Sequence, residues 1–292
     1  MKYGLPVQVE DSKHTIYHPV ARWIRNKTPE VEGPLFIGVN GAQGSGKTTF
    51  CALLSSVLLH DFGLHSVSMS IDDIYHTRAI RNQLGKEVHP LCKIRGVPGT
   101  HDVGLAHRVF DQAAKASDSD PLLIPRFDKA LDDRQPKNRW DVISTPPDVV
   151  LFEGWCVGCP PLHPWTGPFN DREEREDPEG IWSKWSSNCL ENEHRPLFQR
   201  LDSLIFIGVP SMETVRKSRW LQEKKLWEKM QNRNDETAHL PGLMTEEAVT
   251  EYIALFERYT EHMLAHMPAL ADTVIMRDSE FRYTLKHLPQ TP

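Results

Sequence analysis

An eight-residue phosphate-binding motif restricts the fold of this chain more than any other part of its sequence. Residues 41–48 read Gly-Ala-Gln-Gly-Ser-Gly-Lys-Thr and match the pattern G-x-x-x-x-G-K-[ST]. Glycines let the backbone N–H groups surround a phosphate at positions where side chains would collide with it. The apolar run 35–39 precedes the motif and a helical pattern follows it, which is the context that a P-loop needs. The motif therefore predicts a nucleoside triphosphate site.

The same motif supplies side chains for the triphosphate and for a magnesium ion. A helix that begins near Lys47 directs its positive end at the phosphates, and the lysine itself reaches the β- and γ-phosphate oxygens. The hydroxyl of Thr48 is expected to bind Mg²⁺. We predict that the nucleotide contacts a continuous run of residues, namely Gly41, Ala42, Gln43, Gly44, Ser45, Gly46, Lys47, Thr48 and Thr49.

Short apolar runs separated by helical patterns predict the architecture around this motif. Strand-like runs cover residues 35–39, 67–71, 149–152, 204–209 and 273–276. Helical patterns cover residues 47–61, 103–116, 211–231 and 245–266. Buried strands that alternate with helices are typical of a parallel sheet covered on both faces. The fold class is therefore predicted to be α/β: a three-layer α/β/α P-loop NTPase domain with a central parallel sheet of about five strands and a helical lid.

The remaining segments divide the chain. Residues 1–33 are expected to form a lead-in helix packed on the core, and residues 34–292 the P-loop domain with its lid near 211–231. Residues 155–200 are rich in Trp, Pro and charged residues, and we predict an irregular insert there. Its charged run 171–179 is interpreted as a solvated loop rather than as a binding surface.

Charge and hydropathy disfavour two classes of partner. The chain has 34 basic and 40 acidic residues, a formal net charge of −6, whereas a protein that binds nucleic acid through its phosphates usually has a basic surface. No apolar run approaches the roughly 20 residues that span a bilayer, and the residues after Met1 do not form a secretory signal. We therefore expect neither a nucleic-acid nor a membrane partner.

The cysteines favour a reducing compartment. They number five, an odd count, and are thinly spread, which suits free thiols and a cytoplasmic location. Cys156 and Cys159 form the one close pair, with His163, Cys189 and His194 further on. Zinc is conceivable there, but a structural zinc site normally shows two close pairs, so packing is the expected role.

Acidic residues follow two of the predicted strands. Asp72 and Asp73 come after the run 67–71, and Glu153 comes after the run 149–152. Because the carboxyl ends of parallel strands meet at the ligand edge, Asp72 is expected near the γ-phosphate, where it accepts the proton of an attacking hydroxyl group. An acidic pair that caps the next helix is the alternative. Glu153 is predicted to bind Mg²⁺ or the substrate, because a buried carboxylate is rarely left without a partner.

Taken together, these motifs resemble the phosphoribulokinase, uridine kinase and pantothenate kinase group of P-loop kinases. The resemblance rests on residues 41–48, on Asp-Asp-Ile-Tyr at 72–75 and on Glu-Gly-Trp at 153–155. Two further runs, Arg-Gly-Val-Pro-Gly-Thr-His-Asp at 95–102 and Pro-Arg-Phe-Asp-Lys at 125–129, are similar to the branch that contains plant-type D-glycerate 3-kinase and its bacterial and fungal relatives. The likeness covers about residues 35–230 and extends more loosely to the C-terminus.

The resemblance implies transfer of a phosphoryl group from ATP to a small hydroxylated acceptor. We expect the protein to be a monomer or a homodimer. Its catalytic residues would be Lys47, Asp72 as the base, and Arg219, which falls on the lid arginine of this branch. An arginine folded onto the transferring group neutralises the charge that develops there, although a solvated basic helix is the alternative. The residues implied around the acceptor are Asp73, Tyr75, His101, Asp102, Arg126, Asp128, Lys129 and Glu153.

The identity of the acceptor is the least determined part of this interpretation. The cations of Arg126 and Lys129 suit a carboxylate or a phosphate, so a hydroxy acid such as D-glycerate is expected. The run 130–136 keeps only the Asp-Arg-x-Pro part of the family pattern, which leaves pantothenate, a nucleoside or a sugar phosphate open. A P-loop NTPase that couples hydrolysis to motion is the alternative class, but the chain has no Asn-Lys-x-Asp motif for guanine.

Overall fold

Six strands form the central sheet of the structure, a computed structural model that describes residues 12–231 and 244–289. They are β1 (Leu35–Gly41), β2 (Ser66–Ser70), β3 (Val149–Gly154), β4 (Ser203–Gly208), β5 (Thr273–Arg277) and β6 (Tyr283–His287). Their order across the sheet is β6-β5-β4-β1-β3-β2. All neighbours are parallel except β6, which pairs antiparallel with β5. The predicted parallel strands are confirmed, and β6 is an addition that the sequence did not predict.

Helices connect the strands and cover the sheet. In chain order they are α1 (His18–Lys27), α2 (Lys47–Phe62), α3 (Arg78–Glu87), α4 (Val103–Ala113), α5 (Asp171–Glu176), α6 (Ile181–Cys189), α7 (Arg195–Phe198), α8 (Met212–Gln231), α9 (Glu246–Ala254) and α10 (Glu257–Leu270). Two short antiparallel pairs lie outside the sheet: Leu122–Ile124 with Asp141–Ile143, and Phe127–Asp128 with Asp133–Arg134. Within the described ranges, no helix combines the length and the apolar character needed to cross a membrane.

Alternate residues of the central strands pack into two separate cores, one on each face of the sheet. Leu35, Ile37 and Val39 of β1 belong to the core that includes Phe50 and Leu54 of α2. On the other face, Phe152 of β3 belongs to the core that includes Phe110 of α4 and Met263 of α10. Burial on both faces explains why these strands are continuous apolar runs in the sequence, and it confirms the three-layer fold.

The described part of the predicted lead-in packs on α2. The ring centroid of Tyr17 lies 5.3 Å from that of Phe50, and Val20, Trp23 and Ile24 are buried. Residues 1–11 of this predicted segment lie outside the described residues.

Residues 155–200 are more ordered than the irregular insert that the sequence predicts, since α5, α6 and α7 lie within them. The charged run is also not wholly solvated. Glu173 is 2% exposed and forms an ion pair with Arg258 at 2.5 Å. Asp177 is also 2% exposed. Its carboxylate accepts hydrogen bonds from the backbone N–H groups of Trp182 and Ser183. Specific partners therefore compensate for the burial of these two charges.

Two other expectations concern the helix predicted at 245–266 and the cysteines. The predicted helix 245–266 is two helices, α9 and α10, separated at Leu255 and Phe256. The cysteines are free and buried, as the packing interpretation expects. Burial raises the pKa of Cys156 well above its ordinary range, so this thiol stays protonated.

Candidate active site

The loop between β1 and α2 depends on glycines in left-handed backbone conformations. Gly44 has φ of +76° and Gly46 has φ of +90°. A Cβ atom at Gly44 would lie 2.7 Å from the Cβ atom of Ser218, and one at Gly46 would collide with the hydroxyl group of Tyr283. The hydroxyl group of Ser45 is buried and has no hydrogen-bond partner among the described residues. Glycines in left-handed conformations and an unused polar group are features that fit a phosphate cradle.

Lys47 and Thr48 begin α2 at the floor of this loop. The Nζ atom of Lys47 donates to the Ala42 carbonyl at 3.2 Å, and the Thr48 hydroxyl donates to Oε1 of Glu153 at 2.8 Å. Burial lowers the pKa of Lys47, while the carboxylates of Glu153 and Asp72 act against that shift. A hydroxyl and a carboxylate side by side are oxygen donors of the kind that Mg²⁺ prefers, so these two side chains fit the magnesium site expected from the sequence.

Asp72 stands at the end of β2, one strand away from the P-loop. Ser70 of β2 is paired with Glu153 of β3, so the two acidic positions meet at the same edge of the sheet. The carboxylate of Asp72 accepts a hydrogen bond from Nζ of Lys129 at 2.6 Å. Burial alone would raise the pKa of Asp72, but the Lys129 ammonium group holds it below its ordinary value. Asp72 therefore carries a negative charge at neutral pH.

Asp73 has a different environment from its neighbour. Its carboxylate accepts from the Ser70 N–H at 3.2 Å and from Arg126 at 2.6 Å, in a capping arrangement of the short turn Ile71–Ile74. A third bond comes from the Phe127 N–H at 3.3 Å. The capping alternative thus applies to Asp73, whose acceptor capacity is taken up by protein groups, whereas Asp72 keeps its place beside Lys129.

One cavity of about 700 Å³ contains most of the predicted site. The predicted residues that line it are Gln43, Gly44, Lys47, Thr48, Asp72, Asp73, Tyr75, Lys129, Glu153 and Arg219. A cavity of this size accommodates a nucleotide together with a small second substrate. The structure therefore brings residues of the P-loop, the carboxylates of Asp72 and Glu153, and Arg219 of α8 to one cavity.

Other predicted residues lie outside the lining of this cavity. His101 is buried, its Nδ1 is 3.1 Å from Nε2 of His194, and its ring stacks on Tyr75 at 4.6 Å. Asp102 caps α4 through the Leu105 N–H at 2.9 Å. Asp128 accepts from the N–H groups of Ala130 and Leu131 and so holds a turn. Within the motif, Gly41, Ala42, Ser45, Gly46 and Thr49 are also absent from the lining.

Arg126, a predicted acceptor ligand, also lies outside the lining, with its guanidinium group bonded to Asp73 and Asp141. We therefore expect Arg126→Ala to lower the free energy of unfolding by about 1.5–3 kcal/mol, the value typical of hydrogen bonds to charged groups. It should raise the acceptor KM less than Lys129→Ala does. Urea unfolding and steady-state kinetics check both expectations. Unchanged stability together with the larger rise in KM would instead indicate a direct contact with the acceptor.

Sequence reasoning did not assign several lining residues to the site. Arg95 is one of them, although it opens the run 95–102 that carried the family resemblance. Tyr252 of α9 and Phe256, which follows α9, also line the cavity and belong to no motif. The indole N–H of Trp155, another lining residue, donates to the Gly96 carbonyl at 3.1 Å.

Helix α8, the predicted lid, is connected to the phosphate-binding loop through Arg277 of β5. Arg277 of β5 is 1% exposed and donates to the Gly44 carbonyl at 3.2 Å and to the Ser218 hydroxyl at 2.8 Å. Arg219, the residue after Ser218, is paired at 2.6 Å with Glu223, which lies one turn further along α8. The arginine at the cavity is therefore presented by a helix whose position is tied to the phosphate-binding loop.

The sequence of this chain is similar to those of proteins named as kinases. The chain is 32% identical over 236 residues to the uncharacterized kinase mug58 of Schizosaccharomyces pombe, covering 78% of this chain and 80% of the relative. It is 32% identical over 136 residues to the chloroplastic D-glycerate 3-kinase of Arabidopsis thaliana, covering 44% of this chain but only 30% of the plant enzyme. No protein-family model matches.

A solved structure has the same fold. The D-glycerate 3-kinase of Cryptococcus neoformans superposes with a TM-score of 0.72 over 92% of this chain and 99% of its own, at 21% sequence identity. The α/β architecture of the present chain is thus that of a known kinase.

Proposed function

This chain belongs to the uridine kinase and D-glycerate 3-kinase group of P-loop kinases, and we propose that it transfers the γ-phosphoryl group of ATP to a hydroxyl group of a small hydroxy acid. D-glycerate is the first acceptor to test. One observation carries the proposal: the Asp72–Lys129 ion pair, 2.6 Å long, lines the same cavity as the P-loop. It offers a carboxylate for the proton of a hydroxyl group and, beside it, a cation for an anionic substrate.

The P-loop half of the cavity is proposed to hold the nucleotide. Thr48 and Glu153 would hold Mg²⁺, which when bound neutralises charge on the β- and γ-phosphate oxygens. The Lys47 ammonium group would add a positive charge at the γ-phosphate, and the backbone N–H groups around Gly44 and Gly46 would surround the β-phosphate.

Asp72 is the proposed base. A carboxylate within hydrogen-bond reach orients the attacking hydroxyl group and accepts its proton as the bond to phosphorus forms. Its charge at neutral pH, maintained by Lys129, supports this role. Asp73 does not compete for it, because Arg126 and two backbone N–H groups occupy its oxygens.

Two positively charged side chains at the cavity favour an acceptor that carries a negative charge. Lys129 lines the cavity, and so does Arg95, whose partner Asp132 also forms ion pairs with Arg78 and Arg81. One carboxylate is thus shared among three guanidinium groups, which favours an additional anion close by. A neutral nucleoside would offer these cations no partner, whereas the carboxylate of a hydroxy acid would.

Arg219 is proposed to contact the transferred phosphoryl group. It lines the cavity from α8, and its partner Glu223 is 1% exposed and also accepts from the Met244 N–H at 3.0 Å. Glu223 therefore keeps the guanidinium group oriented before the phosphates arrive, which limits the reorganisation needed during the reaction.

The small-molecule acceptor is the binding partner that we propose for this protein. The cytoplasm is its proposed location. Free, buried cysteines suit a reducing compartment, which supports the location. A formal net charge of −6 disfavours nucleic acid as an alternative partner.

A panel of acceptors tests the proposal. ATP consumption and phosphorylated product are measured with D-glycerate, pantothenate, uridine and sugar phosphates, each at saturating ATP and Mg²⁺. We expect turnover with the hydroxy acid and only background hydrolysis without an acceptor. Preferential phosphorylation of uridine would reject the hydroxy acid but keep the kinase. ATP hydrolysis that no acceptor stimulates would indicate an NTPase that drives motion.

Replacing Lys129 by methionine should move the acid limb of kcat to higher pH. In the native protein the pKa of Asp72 lies below the ordinary value of about 3.9, so the base stays charged as the pH falls. Without the ammonium group, burial remains as the main influence and raises this pKa, so Asp72 is protonated, and kcat falls, at a higher pH. Initial rates at saturating substrates between about pH 4.5 and 8 check this.

Lys129→Arg is the matched control, because it keeps the positive charge and should restore the acid limb. A methionine variant with the native pH profile and a raised acceptor KM would mean that Lys129 binds the acceptor without controlling the charge of Asp72.

A further inference from the structure

Three histidines meet in a cluster outside the lining of the kinase cavity. His262 and His266 lie one turn apart on α10, and the exposed His163 approaches them from the segment after β3. The ring centroid of His163 lies 5.2 Å from that of His262 and 5.5 Å from that of His266, and the latter two are 4.3 Å apart. Each ring offers one nitrogen, and these nitrogens lie within 4.8 Å of one another.

Backbone carbonyls fix the tautomers of two of these rings. The Nδ1 atom of His266 lies 2.7 Å from the His262 carbonyl, which only accepts, so Nδ1 carries a proton and Nε2 is the nitrogen left for a ligand. His262 bonds to the backbone of Pro161, and since proline has no N–H, the imidazole donates to the carbonyl.

The other nitrogen of His262 has nothing to bond to. Its Nε2 is buried and has no hydrogen-bond partner in the described part of the chain, so the ring donates through Nδ1 and holds an unused lone pair on Nε2. A buried polar atom without a partner is costly unless a ligand satisfies it.

We propose that His163, His262 and His266 form a binding site for a divalent transition-metal ion, Zn²⁺ being the one that fits best. Imidazole nitrogens suit Zn²⁺, and three of them with a water molecule complete its tetrahedral coordination. Metal-binding histidines characteristically donate their second ring N–H to a carbonyl or carboxylate, as His262 and His266 do here.

The proposed ion would fasten together two segments that reach the kinase cavity. His163 belongs to the segment that begins with Trp155, and α10 begins directly after Phe256. The rings of Trp155 and Phe256 both line the cavity and lie 4.9 Å apart. The ion would therefore act on the stability of the protein, and the proposal does not depend on which acceptor the kinase uses.

The experiment uses the full chain without an affinity tag, stripped of metal and kept free of nucleotide. Zn²⁺ binding is measured by competition with a chromophoric chelator, and the retained metal by elemental analysis after gel filtration. We expect about one zinc ion per chain. At a hundredfold excess of Zn²⁺ over the dissociation constant, Tm should rise by about 5 °C.

Variants identify the ligands. His163→Gln, His262→Gln and His266→Gln should each weaken zinc binding by at least about tenfold and abolish the rise in Tm. His60→Gln, which changes an exposed histidine of α2, should bind zinc like the native protein. Because His163 is exposed in a loop, its variant should keep the metal-free Tm, so it tests the site even if changes on α10 impair folding.

Two results would overturn the proposal. One is that no zinc is retained and that Tm does not respond to the metal. The other is that His163→Gln binds zinc as tightly as His60→Gln, which would place the metal elsewhere on the chain.

Discussion

Replacing Lys47 by alanine is expected to abolish measurable phosphoryl transfer, with a loss of about 10³-fold or more in kcat/KM. Removing even a neutral donor from a site of developing charge costs 10²–10³-fold, and the Lys47 ammonium group is a full charge at the phosphates. The fold should survive, because the Nζ atom makes its hydrogen bond to the Ala42 carbonyl of the same loop. ATP consumption with the best acceptor and thermal unfolding measure the two effects.

Lys86→Ala is the matched control for this experiment. Lys86 is an exposed lysine on α3 and is not part of the cavity lining, so its variant should retain native turnover. Native turnover in the Lys47 variant would reject the assignment of the phosphate-binding loop, whereas a large fall in Tm would assign the loss to folding.

Replacing Asp72 by asparagine should lower kcat by about 10²–10⁴-fold, the range typical of a lost general base. An amide of the same shape still fits beside Lys129, but it cannot take up the proton of the acceptor hydroxyl group. The KM for ATP should change only a few-fold, because in the proposed arrangement the phosphates are held by Lys47, Thr48 and the backbone of the phosphate-binding loop. Single-turnover rates at saturating ATP, with product analysis, measure the chemical step.

Asp73→Asn provides an internal comparison on the adjacent residue. It weakens the ion pair with Arg126 and the cap of the turn Ile71–Ile74, so its main expected effect is a lower free energy of unfolding. Its kcat should exceed that of the Asp72 variant by at least about tenfold. If Asp73→Asn were the slower enzyme while remaining stably folded, the roles of the two carboxylates would have to be exchanged.

Much of the sheet could be predicted because its strands are buried on both faces. The apolar runs that become β1 and β3 have no polar alternation, and their burial in the structure is nearly complete. The edge strand β6 was not predicted, because it lacks this burial on both faces. Its residues, Tyr283–His287, are half-buried or exposed, so the sequence contains no apolar run to mark it.

Residues 155–200 contain long-range contacts that the periodicity of the sequence does not predict. The local sequence predicts that the charged run 171–179 is solvated, because most neighbours of its acidic residues in the chain are themselves polar or charged. Its burial depends on distant partners, since Arg258 lies 85 residues beyond Glu173. Long-range ion pairs of this kind follow from the packing of α5 against α10 and not from any local pattern.

The candidate site also has a part that the sequence predicts and a part that it does not. Lys47, Thr48, Asp72 and Glu153 lie at or after the carboxyl ends of neighbouring strands, so the topology of a parallel sheet is sufficient to bring them together. The choice between two arginines of family-like runs could not be made from sequence. Arg126 is taken up by Asp73 and Asp141, which leaves Arg95 as the arginine of these runs that lines the cavity.

The order of strands in the sheet also constrains how a ribosome-bound chain can fold. β1 and β2 emerge first, yet they are not neighbours, because β3 lies between them. Leu35 of β1 pairs with Val149 on one side, and Ile37 pairs with Ser203 on the other, so both contacts wait for residues more than a hundred positions later. Such non-local pairing slows folding and prolongs the exposure of apolar strands. The phosphate-binding loop is thus synthesised early but acquires its framework late, once β3 and β4 are available to pair with β1.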